Sequence, residues 1–224
     1  MIINEKLTRY NFVKGRGGNK IEWIVVHDTA NTRPTAGAYN HYLYFSKPNR
    51  SASAHYFVDS TQVLRIVRDE DTAWHCGDTQ KYLNGGGLLK GKVKNSNSIG
   101  IEICINSDGD YNKTIAKTQE LIISLLKKYN LPLDRVIRHH DVSGKLCPGT
   151  MKANNWEAWR AFRTTLESLY KESDNLVWVE YMGRRIGVPG VLEEGKNYVA
   201  IEELLEAMGY EVGWDNIKKV VLIK

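Results

Sequence analysis

Residues 21–27 read Ile-Glu-Trp-Ile-Val-Val-His, a nearly unbroken apolar run that stops on a polar side chain. A strand buried on both faces of a sheet has this composition, so the run is a central strand with His27 at its tip. A second strand is legible at residues 98–105 (SIGIEICI). There Ile99, Ile101, Ile103 and Ile105 share one face, while Gly100, Glu102 and Cys104 share the other. Glu102 therefore points away from the greasy face from mid-strand. Residues 135–141 (RVIRHHD) read as a third strand with histidines at its end. Strand neighbours face opposite ways, so at most one of His139 and His140 shares a direction with a given partner.

Between these runs the period changes. Residues 35–46 (TAGAYNHYLYFS) form a short helix stopped by Lys47-Pro48-Asn49, and residues 55–59 and 62–67 form a hairpin through Ser60-Thr61. Residues 115–129 carry Ile115, Ile122, Leu126 and Tyr129 on one helical stripe, closed by Asn130 and Pro132. Asn154 and Asn155 are candidate N-caps of a further helix with Trp156, Trp159, Phe162, Leu166 and Leu169 at helical spacing, core rather than ligand platform. Strands alternating with helices over the first 170 residues give an α/β layered domain. Residues 171–175 (KESDN) are polar and aperiodic, which places a boundary between a domain at 1–173 and a small α+β domain at 174–224. The latter shows strand-like runs, a hairpin at Met182-Gly183-Arg184, a helix at 198–208 and a last strand at 219–223.

At roughly 100 to 200 residues per domain, 224 residues allow one full domain and a small one. The N-terminus (MIINEKLTRYNFVKG) has no charged-then-apolar signal pattern, and no stretch approaches the roughly 20 apolar residues of a membrane span. The chain is thus expected to be made in the cytoplasm and to stay there until released, without a membrane partner. Three cysteines are too few, and odd in number, for a disulfide framework, so metal ligation is the more informative use of a cysteine. The net charge of +5 is uneven: residues 174–224 hold six Lys/Arg against nine Asp/Glu, leaving +8 on residues 1–173. That charge suits a polyanionic partner, such as nucleic acid or the anionic polymers of a cell wall, and on charge alone suits an ordinary lysine-coated surface equally well. No basic run with interleaved aromatics reads nucleic acid. Residues 84–97 (NGGGLLKGKVKNSN) form an aperiodic glycine- and lysine-rich stretch expected to be a mobile surface loop. Gly86, Gly91 and Lys92 fit a phosphate-binding spacing, but Val93 occupies the Ser/Thr position and no strand precedes it.

Six histidines stand at 27, 41, 55, 75, 139 and 140, and Cys147 follows in a loop, SGKLCPG. Catalytic zinc commonly takes three protein ligands and keeps one position open, which two strand-end histidines and a loop cysteine would satisfy. Spacing alone leaves each histidine an ordinary alternative, as a satisfied core or surface residue.

Five segments in order, IVVHDTAN, SAHYFVD, AWHCGD, NSNSIGIEICIN and RHHDVSGKLCPG, closely resemble the type 2 N-acetylmuramoyl-L-alanine amidases, whose fold is shared with peptidoglycan recognition proteins. The likeness covers roughly residues 7–155. It implies a central mixed β-sheet flanked by helices and a Zn²⁺ held by His27, His139 and Cys147, with His140 at a variable position. It implies Glu102 as the proton-handling residue and Lys145 as the stabiliser of the tetrahedral oxyanion, with His75 and Trp74 on the substrate side and His55 structural. A three-ligand zinc lowers the pKa of water to about 7, which explains why a neutral-pH amidase uses one. The implied reaction cuts the bond between N-acetylmuramic acid and L-alanine in bacterial peptidoglycan, as in a phage or prophage lysis enzyme released through a holin or by lysis. A host autolysin would share these features. Residues 174–224 resemble a small module attached to cell-wall and copper amine oxidase-type proteins, implying wall anchoring, with anionic wall polymers as a partner.

Two other readings make different demands. A peptidoglycan-binding module would not need the complete ligand set and Glu102. A cysteine peptidase of papain type would place its nucleophile before its histidine, whereas Cys147 follows His139 and precedes Pro148.

Overall fold

In the computed structural model, which describes residues 2–79, 82–174, 176–181, 184–193, 196–215 and 220–223, the 21–27 run enters a strand at Trp23 that is buried at every position through Asp28, while Ile21 is half-buried and Glu22 exposed ahead of it. The chain opens with β1 (Ile3–Glu5), β2 (Phe12–Val13) and β3 (Trp23–Asp28), followed by α1 (Ala38–Phe45). The hairpin β4 (Tyr56–Val58) and β5 (Val63–Arg65) comes next, then β6 (Thr72–Ala73) and β7 (Ser98–Ile103). The domain finishes with α2 (Tyr111–Tyr129), β8 (Val136–Arg138), α3 (His139–Ser143) and α4 (Ala153–Asp174).

Six strands form one sheet in the order β1-β5-β4-β7-β3-β8. All its pairs are parallel except β4 with β5. This is the expected α/β architecture with a mixed sheet and flanking helices. Ile24 on β3 and Ile99, Ile101 and Ile103 on β7 are fully buried, with Leu121, Ile122 and Leu126 of α2 and Leu166 of α4. Each such side chain contributes about 1.5–3 kcal/mol of transfer free energy. Gln119 interrupts the α2 stripe and is satisfied by the Phe162 carbonyl at 3.0 Å.

Several local expectations are corrected. The strand at 135–141 is only three residues long, because Arg138 caps a helical turn and both histidines begin α3. α2 starts at Tyr111, ahead of its apolar stripe, because the Asp110 side chain accepts from the Lys113 amide. Asn154 and Asn155 are not N-caps: they and Trp156 take left-handed φ values inside α4, with Trp156, Trp159 and Phe162 buried as core. The 84–97 loop is fastened down rather than loose. Tyr82 N–H donates to the Ser143 carbonyl, Gly87 N–H to that of His140 and Leu89 N–H to that of Asp141.

The chain divides into compact units Met1–Leu166 and Glu167–Lys224. The expected boundary at 173–174 falls at the end of α4, the helix in which this division lies. In the second unit β9 (Leu176–Tyr181), β10 (Arg184–Glu193) and β11 (Lys196–Val199) form an antiparallel sheet. α5 (Ile201–Ala207) and the pair β12 (Val212–Asp215) and β13 (Val220–Ile223) complete it. Met182 and Gly183 of the expected hairpin, and Lys219, lie outside the described residues. Among the described residues, no helix is long and apolar enough to cross a membrane.

Candidate metal centre and active site

Parallel strands present their carboxyl ends to one rim of the sheet, where α/β folds place ligands. The register of β3 on β7 sets His27 opposite Glu102. On its other side β3 pairs with β8, where Val26 faces Arg138 and the next residue is His139. Three adjacent strand ends thus deliver His27, Glu102 and His139 together.

Cys147 arrives from the loop after α3. Gly144 turns the chain with a φ of 82°, and the Cys147 carbonyl accepts from the His140 amide at 3.0 Å. Thr150 then donates through its amide and hydroxyl to Asp28 Oδ2, at 2.7 and 2.9 Å. Asp28 follows His27, so the strand carrying one candidate ligand anchors the loop carrying another.

The ligand atoms of His27, His139 and Cys147 lie within 4.8 Å of one another, and all three residues are buried. Cys147 Sγ is 3.7 Å from His27 Nδ1. His139 Nε2 bonds Asp78 Oδ2 at 2.5 Å, while its Nδ1 is buried without a partner. An unsatisfied buried polar atom costs about 1–3 kcal/mol, and a cation would remove that cost. Zinc bonds of about 2.0 Å to nitrogen and 2.3 Å to sulfur set tetrahedral ligand atoms about 3.3–3.6 Å apart; the 3.7 Å between Cys147 Sγ and His27 Nδ1 matches this spacing, and the 4.8 Å span of the trio leaves about 1 Å of closure around an ion. Burial and the nearby His139 hold His27 well below the ordinary histidine pKa, keeping it neutral and able to ligate. Burial and then Glu102 push the Cys147 thiol up, so its ionisation awaits a cation.

His140 is directed elsewhere. Its Nε2 donates to the Asn84 carbonyl at 2.9 Å, and its ring packs on Trp156 at 4.6 Å between centroids. Glu102 is half-buried, but its Oε2 is shut from solvent and unpaired. Burial, then the charge of Asp28, raise its pKa well above the usual carboxylate range against the pull of Lys145. Lys145 itself is exposed, and its charge also reaches Cys147, His27 and Asp78.

His75 lies beside His27, with both ring nitrogens engaged, by His27 and by Ser98. Trp74 is half-buried, its main chain paired with Ser53. His55 is wholly buried, accepting the Gly100 amide at Nδ1, and burial with the Arg16 charge brings its pKa down to about 3. Two residues in contact with the site had no assigned part in the sequence, Asp28 and Asp78. Both sit in the quoted motifs, IVVHDTAN and AWHCGD, and that is their only trace there.

Residues 17–150 match the N-acetylmuramoyl-L-alanine amidase family. The chain belongs to this family. Among amidases similar to it, CwlH of Bacillus subtilis (strain 168) is 38% identical over 146 residues, 65% of this chain and 53% of CwlH. The chain spans about half the length, or less, of the curated amidases it matches. Of solved structures similar to the chain, the catalytic domain of XlyA is 33% identical with a TM-score of 0.62, covering 74% of this chain and 99% of that domain. PlyL is 32% identical with a TM-score of 0.58, over 74% and 97% of the two chains. The buried His27–His139–Cys147 group is consistent with the metal site typical of the family.

Proposed function

We propose that this chain is a zinc-dependent amidase that hydrolyses the bond between the lactyl group of N-acetylmuramic acid and L-alanine. The observation that carries the reading is one rim where a buried, unpaired His139 Nδ1 meets His27 and Cys147 beside the unpaired Glu102 Oε2. His27, His139 and Cys147 would hold the metal. When bound, zinc supplies Lewis acidity there, making a water more acidic and the scissile carbonyl more electrophilic.

Glu102 takes a proton at its carboxylate and delivers it to the departing amine of L-alanine. Its raised pKa suits a group that must hold a proton transiently near neutrality. Lys145 is exposed enough to swing toward the substrate, and its ammonium offsets the oxyanion charge. Of the expected substrate-side pair, Trp74 keeps part of its surface open to a peptidoglycan stem, whereas His75 has committed both nitrogens inside the protein. The +8 charge on residues 1–173 supports attraction to anionic walls, and residues 174–224 are proposed to add wall affinity by raising effective concentration. One structure similar to this chain is a mutant endolysin from Bacillus subtilis, 34% identical with a TM-score of 0.62, which supports use in lysis.

The test combines metal content with new L-alanine amino termini released from purified walls. Glu102→Gln should keep zinc and lose about 10²–10⁴-fold in turnover. Turnover that survives thorough chelation would refute the metal reading, and wall binding without new termini would make the chain a binder.

A further inference from the structure

The AWHCGD segment touches both candidate metal histidines on the nitrogen away from the trio. His27 Nε2 lies 3.1 Å from His75 Nδ1, with the rings perpendicular. His75 Nε2 lies 3.2 Å from Ser98 Oγ, which is itself 2.6 Å from the Lys94 carbonyl. The direction of this relay follows from its far end. A carbonyl can only accept, so Ser98 gives its single proton to Lys94 and must accept from His75. His75 then carries its proton on Nε2 and offers a lone pair at Nδ1. That lone pair is met only if His27 donates from Nε2, which leaves the His27 Nδ1 lone pair facing Cys147.

His139 reaches the same state through a simpler contact. The Asp78 carboxylate accepts from Nε2 and leaves Nδ1 as the open atom. Against the upward push of burial, hydrogen bonding to His139 holds Asp78 at about 2, so it stays a charged acceptor. The backbone is shaped for the first contact as well. A Cβ at Gly100 would lie 2.4 Å from His75 Cγ, so the ring rests directly on the β7 main chain.

We propose that residues 75–78 frame the metal centre from outside: His75, fixed by Ser98 and the Lys94 carbonyl, and Asp78 preset His27 and His139 as Nδ1 ligands. The inference rests on the reading of His27, His139 and Cys147 as the metal centre. His75 and Asp78 are positioning residues, acting through the two histidines. Partners of this kind fix tautomer and ring orientation, and losing one typically weakens metal affinity about 10–100-fold.

The experiment measures zinc affinity of the full chain by competition with a chromogenic chelator, with the visible spectrum of the cobalt(II) form as a second readout. At each position an isosteric pair separates shape from hydrogen bonding: His75→Leu against His75→Asn, and Asp78→Leu against Asp78→Asn. The leucine variants should lose about 10–100-fold in zinc affinity and show altered cobalt spectra. The asparagine variants, whose amide oxygen still accepts, should recover most of the loss. Leucine variants that bind as tightly as the unaltered chain would overturn the outer frame alone. So would leucine and asparagine variants that lose affinity equally, since packing and not acceptance would then be responsible. An unaltered chain that binds no zinc would overturn the metal centre itself.

Discussion

Replacing Gly100 by alanine adds one methyl group where the His75 ring already lies. The new Cβ would sit 2.4 Å from Cγ and 2.7 Å from both Cδ2 and Nδ1 of that ring. No backbone strain is involved, since Gly100 is an ordinary strand residue of β7. The ring must therefore retreat by about 1 Å to reach ordinary contact, and overpacking of this sort costs about 1–3 kcal/mol. Retreat also lengthens the contacts of His75 to His27 and Ser98, each worth about 0.5–1.5 kcal/mol. Lower unfolded-state entropy offsets about 0.4–1 kcal/mol. The net loss is about 2–4 kcal/mol, or a midpoint lowered by about 5–15 °C for a domain of this size. Thermal unfolding of the metal-free protein in excess chelator reads this directly. Gly149→Ala is the control, because its added Cβ would meet nothing nearer than Asp28 Oδ2 at 3.7 Å. The double variant Gly100→Ala with His75→Ala should recover part of the loss, a coupling of about 0.5–3 kcal/mol. Unchanged stability of Gly100→Ala, or simple additivity in the double variant, would refute the reasoning.

Three further outcomes are expected. His139→Ala should abolish stoichiometric zinc by metal analysis, whereas His140→Ala should retain zinc and lose about 1–3 kcal/mol, because it strips the ring from Trp156 and leaves the Asn84 carbonyl unpaired. Acid should destabilise the metal-free fold through His55. Its folded pKa of about 3 lies below the unfolded 6.5, so the stability is intact above pH 6.5 and drains as pH falls toward 3, by about 5 kcal/mol at most. Denaturant titrations across that window should show a flatter pH slope for His55→Asn. Deleting residues 174–224 should leave hydrolysis of soluble muramyl-peptide fragments within about twofold while weakening adsorption to whole walls; lost fragment hydrolysis would show that the catalytic fold needs the tail.

The sheet was legible because its signals are local. The apolar run ending at His27 and the alternation at 98–105 each need fewer than ten residues to read. The same alternation turned Glu102 from the isoleucine face, but not toward solvent: the face it joins is covered, so Glu102 Oε2 is buried. The rule that strand neighbours face opposite ways did not choose between His139 and His140, since both lie on a helical turn and both are buried. Resemblance pointed to His139, and the geometry brings His139 to the trio because Asn84 and Trp156 hold the other ring. Asp78 stayed silent because its partner lies 61 residues away, a separation no periodicity records. The looseness expected of the glycine-rich loop failed for the same reason, its fastenings being main-chain bonds to α3.

Cys76, Cys104 and Cys147 are all unpaired and all buried, at 4%, 1% and 8% exposure. Burial pushes the Cys76 thiol up to about 12 and drives the other two in the same direction. Thiolate is the form that oxidises and cross-links, so a folded chain with three protonated, shielded thiols has little redox chemistry to offer. Such a molecule can pass from a reducing to an oxidising medium without forming a disulfide, and would arrive with the sulfur at position 147 still free to meet a metal.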